Sequence, residues 1–288
     1  MFTRRMPDFI PLATPNPITE HIVSLLAWNK DTFDPMGSAV IITPELVLTA
    51  RHVFDDYWKN LDGRVPANGA HANFACAVLQ EHRTGSVIVR HEIDKVWSAP
   101  WTDLALLHLR EPACDFQSKP VPALAMTMLP PVVGSQVAAF GYPRSTTTES
   151  EDSVLVSRRG VTTVGQVVEV HLQGRDRSQL PWPCFRMDAH IDGGMSGGPV
   201  FNDKGEICGL MCTSFGQSGE QEGHLSYVTL LWPMLGLTLD FPRIGYPAGK
   251  YAAIELARAN MIHARHWDRV SVTCRSDGEA EFAMFRPD

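Results

Sequence analysis

The sequence predicts an all-β protein: two six-stranded antiparallel β-barrels, with a short C-terminal helix and hairpin as an appendage. Three observations carry this expectation. From Ile22 to Leu230 the chain is a series of short apolar runs separated by Gly, Pro, Asn and Asp clusters, the punctuation of strands and turns. A proline-rich stretch, residues 112–131, divides those runs into two groups of similar size. The length of 288 residues, 44% of them hydrophobic, suffices for one large core or two small ones.

Taken in order, residues 1–20 carry Pro7, Pro11, Pro15 and Pro17 and read as an extended arm. The main domain spans 21–236, with barrels over about 21–115 and 130–236. In the first barrel the runs Ile22–Trp28, 37–43 and Leu46–Ala50 are strands, the last two joined by Pro44-Glu45. Arg51-His52-Val53-Phe54 reads as a helical turn, and strands follow at 75–80, 87–91 and 103–109. The second barrel resumes at 136–140, passes a polar loop at 144–152, and continues with strands at 154–157 and 161–170. A charged loop at 174–178 precedes strands at 184–189, 198–202, 206–214 and Leu225–Leu230. Residues 237–288 form the appendage: 250–265 has helical composition, and Val270–Cys274 with 281–285 makes a hairpin around Ser276-Asp277-Gly278. So short a piece is expected to pack on the second barrel.

Charge and composition exclude several function classes. A net charge of −7 with no basic block gives no footprint for a polyanion, so no nucleic-acid partner is expected. No run approaches the ~18 apolar residues of a membrane span, and no membrane partner is expected. The basic N-terminus lacks the ~7–15-residue apolar centre of a signal peptide, which points to a cytoplasmic protein. Cys76, Cys114, Cys184, Cys208, Cys212 and Cys274 include no Cys-x-x-Cys pair and read as buried thiols in a reducing compartment. On one strand Cys208 and Cys212 would lie ~13 Å apart, too far for a disulfide. No metal-ligand spacing is present, so neither metal nor cofactor is expected.

The stretch with the most chemistry in it is Gly193-Gly194-Met195-Ser196-Gly197-Gly198-Pro199. A glycine cluster builds a tight turn with exposed N–H groups. A serine on such a turn suits acyl transfer, the hydroxyl attacking a carbonyl while backbone donors hold the oxyanion. Alone, the same string fits a plain Gly/Ser turn, or the nucleophile turn of an α/β-hydrolase. The hydrolase needs a helix directly after its serine; Pro199 and the strand-like Val200-Phe201 argue against one.

Two upstream pieces line up with this turn. Thr49-Ala50-Arg51-His52 places a histidine immediately after an apolar strand, and Thr102-Asp103-Leu104-Ala105-Leu106-Leu107 has an aspartate opening one. In the order His, Asp, Ser, over residues 22–235, the chain resembles the trypsin-like serine proteases. The flank Asp188-Ala189-His190-Ile191-Asp192 and the downstream Asn202-Asp203-Lys204-Gly205-Glu206 are closest to the bacterial HtrA-like branch, here without a PDZ domain. The resemblance implies Ser196 as nucleophile, His52 as general base and acid, Asp103 as its orienting carboxylate, and the Gly194 and Ser196 amides as oxyanion hole. It implies a substrate-binding surface at His190 and at Thr213, Ser214, Phe215 and Gly216, the latter segment pairing with an extended peptide. Met195 stands where digestive relatives carry the acidic residue of the zymogen switch, so that switch is expected to be absent.

The expectation is a regulated intracellular serine endopeptidase acting on protein or peptide substrates, with a regulatory protein partner contacting the loops at 144–152 or 174–178 or the appendage. The alternative is a catalytically silent protease-like module that binds extended peptides.

Overall fold

The computed structural model describes residues 10–11, 17–28, 33–60, 73–82, 85–111, 113, 121–143, 146–150, 153–157, 159–215, 225–240, 249–274 and 280–284. Six strands close the first barrel: β1 (Ile22–Trp28), β2 (Phe33–Ile41), β3 (Leu46–Ala50), β4 (Asn73–His82), β5 (Gly85–Ser98) and β6 (Leu104–Leu109), in the cyclic order β1-β2-β3-β6-β5-β4. Helix α1 (His52–Asn60) leaves the end of β3. The second barrel uses β7 (Gln136–Gly141), β8 (Val161–His171), β9 (Cys184–Met187), β10 (Pro199–Phe201), β11 (Ile207–Phe215) and β12 (Leu225–Leu230). Its order is β10-β7-β8-β9-β12-β11, and a β10–β11 pairing closes the ring. All twelve pairings within the two rings are antiparallel. The fold expected from the sequence is the fold observed.

Period-two alternation decides where each strand residue goes. Val47, Ala105 and Leu107 point into the first barrel with Val23, Leu25 and Ile41. Their neighbours Leu46, Leu48, Leu104 and Leu106 join a second core with Phe185, Met211 and Val228 of the other barrel. The β3–β6 pair is therefore buried on both faces, which is why it reads as unbroken apolar sequence. Each fully buried Leu contributes about 1.5–3 kcal/mol relative to exposure, so this pair welds the barrels together.

Three expectations about local structure are corrected. Part of the loop expected at 144–152 is a strand, Thr146–Ser150, paired with Ser153–Ser157; its β-branched Thr146-Thr147-Thr148 favours extended backbone. The helix expected over 250–265 is only α2 (Ala253–Arg258). Asn260 takes φ 56°, and Met261 N donates to Leu256 O while Asn260 N donates to Ala257 O, a Schellman stop. The strand at the aspartate begins one residue later, at Leu104, leaving Asp103 in the preceding loop.

The appendage packs on the second barrel and reaches the first. Ala264–Arg265 runs parallel to Met126–Thr127, which lies parallel to β11 at Ile207. Arg265 Nη1 donates to Glu206 Oε1 at 2.7 Å. Lys95 and Trp97 of β5 donate to the Asp240 carboxylate at 2.9 and 2.8 Å, holding its pKa down at about 2. Strands Val270–Cys274 and Ala280–Met284 form the expected hairpin. Of the arm, Ile10–Pro11 pairs with β8 and Pro17–Glu20 is a 3-10 turn rather than extended chain.

Candidate active site

The β3–β6 ladder brings His52 to Asp103. Ala50 pairs with Leu104, and one step further Arg51 N donates to Asp103 O at 3.0 Å. His52, opening α1, then has its backbone N–H on Asp103 Oδ1 at 2.9 Å and its ring Nδ1 at 2.8 Å from Oδ2. An ionised carboxylate only accepts, so this contact places the proton on Nδ1 and leaves Nε2 as the acceptor. Asp103 is fully buried, whereas the imidazole is a quarter exposed. Burial lowers the His52 pKa, but the charge and hydrogen bond of Asp103, with the charges of Asp56 and Asp55, outweigh it and raise the pKa above 6.5.

The serine turn belongs to the second barrel but is sewn to the first. Gly194 has φ 90° and Gly197 φ 81°, a region that disfavours side chains. A Cβ on Gly197 would lie 2.2 Å from Thr49 Oγ1 and 2.3 Å from Ser38 O. Glycine here lets the turn touch the first barrel's backbone. Ser38 makes the seam: its N–H donates to Ser196 O (2.9 Å), and its Oγ donates to Gly194 O (2.8 Å) while accepting from Tyr142 N (2.9 Å). Thr49 Oγ1 in turn donates to Ser38 O at 2.8 Å. Met195, fully buried, anchors the turn in the shared core by apolar packing. Among the described residues no hydrogen bond engages the Gly194 or Ser196 amides, the two expected oxyanion donors.

His52 and Ser196 line one cleft of about 560 Å³ between the barrels, together with Gly194, Cys212 and Thr213. Ser196 Oγ donates to Cys212 O at 3.3 Å rather than to the imidazole. Of the expected substrate-binding residues, Thr213 lines this cleft, and Ser214 and Phe215 continue β11 beside it. Gly216 lies outside the described residues. His190 is half-buried and is not part of the lining, which runs through Ile191, Asp192 and Gly193. Leu180 and Trp182 also line the cleft. Arg51 lies over the Trp182 ring at 5.6 Å. The Asp176 carboxylate ties the 174–180 loop by accepting from the backbone of Gln179 and Ser178, which lowers its pKa to about 2.

Sequence reasoning missed one neighbour of the pair. β11 has a register shift between Met211 and Thr213, a bulge at Cys212. The bulge turns the Cys212 carbonyl toward Ser196, and its thiol lies within 4.8 Å of the Asp103 carboxylate. Burial first, then the Asp103 charge, raises the thiol pKa well above 9. The ligand atoms of His52, Asp103 and Cys212 lie within 4.8 Å of one another, close enough in principle for a cation. Nδ1 and the carboxylate already bond each other, however, and a thiol that holds its proton is a poor ligand. The set is better described as a protonated thiol lying beside the carboxylate that bonds the imidazole.

The sequence model of the trypsin-like peptidase domain matches residues 37–210. No curated protein matches the chain in sequence. Among solved structures, Deg5 aligns at 17% identity with TM-score 0.48, covering 74% of this chain and 84% of its own. The MamO protease domain of Magnetospirillum magneticum aligns at 18% and 0.46, covering 74% and 93%. The Rv3671c protease of M. tuberculosis in its active form aligns at 19% and 0.49, covering 80% and 88%.

Proposed function

The chain belongs to the trypsin-like peptidase family, and from that premise we propose that it is a serine endopeptidase cutting protein or peptide substrates. The observation that carries the reading is the His52–Asp103 pair at 2.8 Å, opening on the same cleft as Ser196. Rotation of Ser196 about χ1 brings Oγ from Cys212 O toward Nε2; such contacts commonly tighten only with substrate bound. Nε2 then takes the hydroxyl proton as Oγ bonds to the acyl carbon. The resulting oxyanion is held by the Gly194 and Ser196 amides, each donor contributing about 10²–10³ in rate. His52, now protonated, delivers its proton to the departing amine, and water repeats the sequence to release the acyl group. Asp103 holds the ring and offsets the imidazolium charge throughout. An extended substrate lies along β11 from Thr213, adding a strand. The reading includes a reducing compartment, supported by the buried thiols of Cys184, Cys208 and Cys212, which form no disulfide, and a regulatory protein partner.

A second reading, a peptide-binding module without catalysis, is favoured by one detail: the Ser196 hydroxyl bonds Cys212 O. A fluorophosphonate probe separates the two. Wild type is expected to label and Ser196→Ala not to. A folded wild type that stays unlabelled from pH 6 to 9 leaves only the binding module.

A further inference from the structure

We infer that Phe282, in the C-terminal hairpin and beyond the segment that matches the family, positions the catalytic aspartate by bracing the loop in front of it. This rests on the protease reading above. The hairpin seats Phe282 opposite Val272. The Phe282 ring meets Trp101 at a centroid distance of 5.1 Å and Trp232 edge-on at 5.1 Å. Gly236 makes room for it: a Cβ there would lie 2.7 Å from the ring.

Trp101 stands two residues before Asp103, so the wedge acts on the short loop that sets the carboxylate. Ahead of Asp103, among the described residues, that loop has few polar anchors. Thr102 N donates to Ala99 O at 3.3 Å, and Arg51 Nη1 donates to the same carbonyl at 2.9 Å. Among the described residues, the buried Trp101 Nε1 and Thr102 Oγ1 have no hydrogen-bond partner. Arg51 and His52 fix the loop from the first barrel, through Arg51 N on Asp103 O and His52 N on Asp103 Oδ1, while on the other side Trp101 stacks on Phe282, which stacks on Trp232. Remove the ring, and the loop can shift toward the vacated space, carrying Asp103 away from His52 Nδ1. A displacement of about 1 Å in such a geometry costs on the order of 10²-fold in rate.

A structural role would lower the folded fraction; a positioning role changes the chemistry of folded enzyme. His52 faces Asp103, Asp55, Asp56 and the Cys212 thiol, with Asp192 lining the same cleft. Only Asp103 is moved by the wedge, so its retreat removes a charge that favours the imidazolium and shifts the acid limb of the rate profile to lower pH.

The test uses the full chain and a fluorogenic peptide that wild type cleaves. Phe282→Ala is expected to keep its far-ultraviolet spectrum, to red-shift tryptophan emission, and to lose about 10- to 100-fold in kcat with KM within twofold. Its acid limb is expected to move down, and Phe282→Leu to recover most of kcat. If Phe282→Ala does not fold, Phe282→Val takes its place, with kcat expected between the Leu variant and complete loss. A folded Ala or Val variant with shifted emission but wild-type kcat, KM and acid limb overturns the positioning role alone. A folded wild type that neither cleaves nor labels overturns the protease reading, and this inference with it.

Discussion

Ser38→Ala tests whether the serine turn owes its shape to the first barrel. The substitution deletes one oxygen and leaves two backbone groups without their partner: Gly194 O, which accepts from Ser38 Oγ at 2.8 Å, and Tyr142 N, which donates to it at 2.9 Å. Ser38 itself is fully buried. An orphaned buried polar group costs about 1–3 kcal/mol. Tyr142 N sits at the dry end of that range, and Gly194 O, nearer the cleft, is rehydrated more easily. The sum is about 2–4 kcal/mol of stability, read as a lower urea midpoint at unchanged slope. Activity should suffer separately, because the Gly194 carbonyl belongs to the turn whose amides are the proposed oxyanion donors. With that anchor gone, kcat on a peptide ester is expected to fall by about 10²-fold, the scale of one oxyanion donor, with KM nearly constant. Ser38→Thr, which keeps the hydroxyl, serves as the control. Unfolding within about 0.5 kcal/mol of wild type, the scatter of neutral substitutions, together with unchanged kcat would refute the seam.

Further outcomes follow from the same geometry. Because the His52 pKa is raised above 6.5, chiefly by Asp103 against the opposing effect of burial, kcat/KM should fall on acidification with a midpoint above 6.5; a flat profile from pH 5 to 8 contradicts a histidine base. The same shift stabilises the fold below pH 6.5, and that contribution should fade as pH rises through the folded-state pKa, which urea titrations of wild type and Asp103→Asn at several pH values will show. With its thiol within 4.8 Å of the Asp103 carboxylate, Cys212→Ser should retain kcat within a few-fold, whereas Cys212→Ala, which removes the polar neighbour, should cost up to about tenfold; equal rates would show that the thiol does not support Asp103. Gly197→Ala drives a Cβ to 2.2 Å from Thr49 Oγ1 at φ 81° and should cost about 4 kcal/mol or more, visible as loss of soluble folded protein.

The sequence made the site legible where its chemistry is local. Glycines around Ser196, a histidine at a strand end and an aspartate at a strand start each sit within a few residues of what they need. What escaped depends on register between distant strands. Cys212 was legible as a buried thiol, but its approach to Asp103 comes from a one-residue bulge in β11 that no composition announces. Ser38 looks like any strand serine until β2 is laid against the serine turn. His190 was assigned to the cleft by its distance along the chain from Ser196, whereas the cleft lining there runs through Ile191, Asp192 and Gly193. The helix was overextended because residues 250–265 suit a helix by propensity, while the Schellman stop at Asn260 overrides propensity locally.

The two halves of the chemistry are housed separately. In the proposed mechanism His52 and Asp103 ride on the N-terminal barrel, Ser196 and the Gly194 and Ser196 amides on the C-terminal one, and Ser38 is the rivet between them. Catalysis is therefore a reporter of docking, not of β-structure as such. A perturbation confined to that seam should cost turnover while leaving the ladders of each barrel intact. An inhibitor that wedges the seam open would silence the enzyme without touching the catalytic residues.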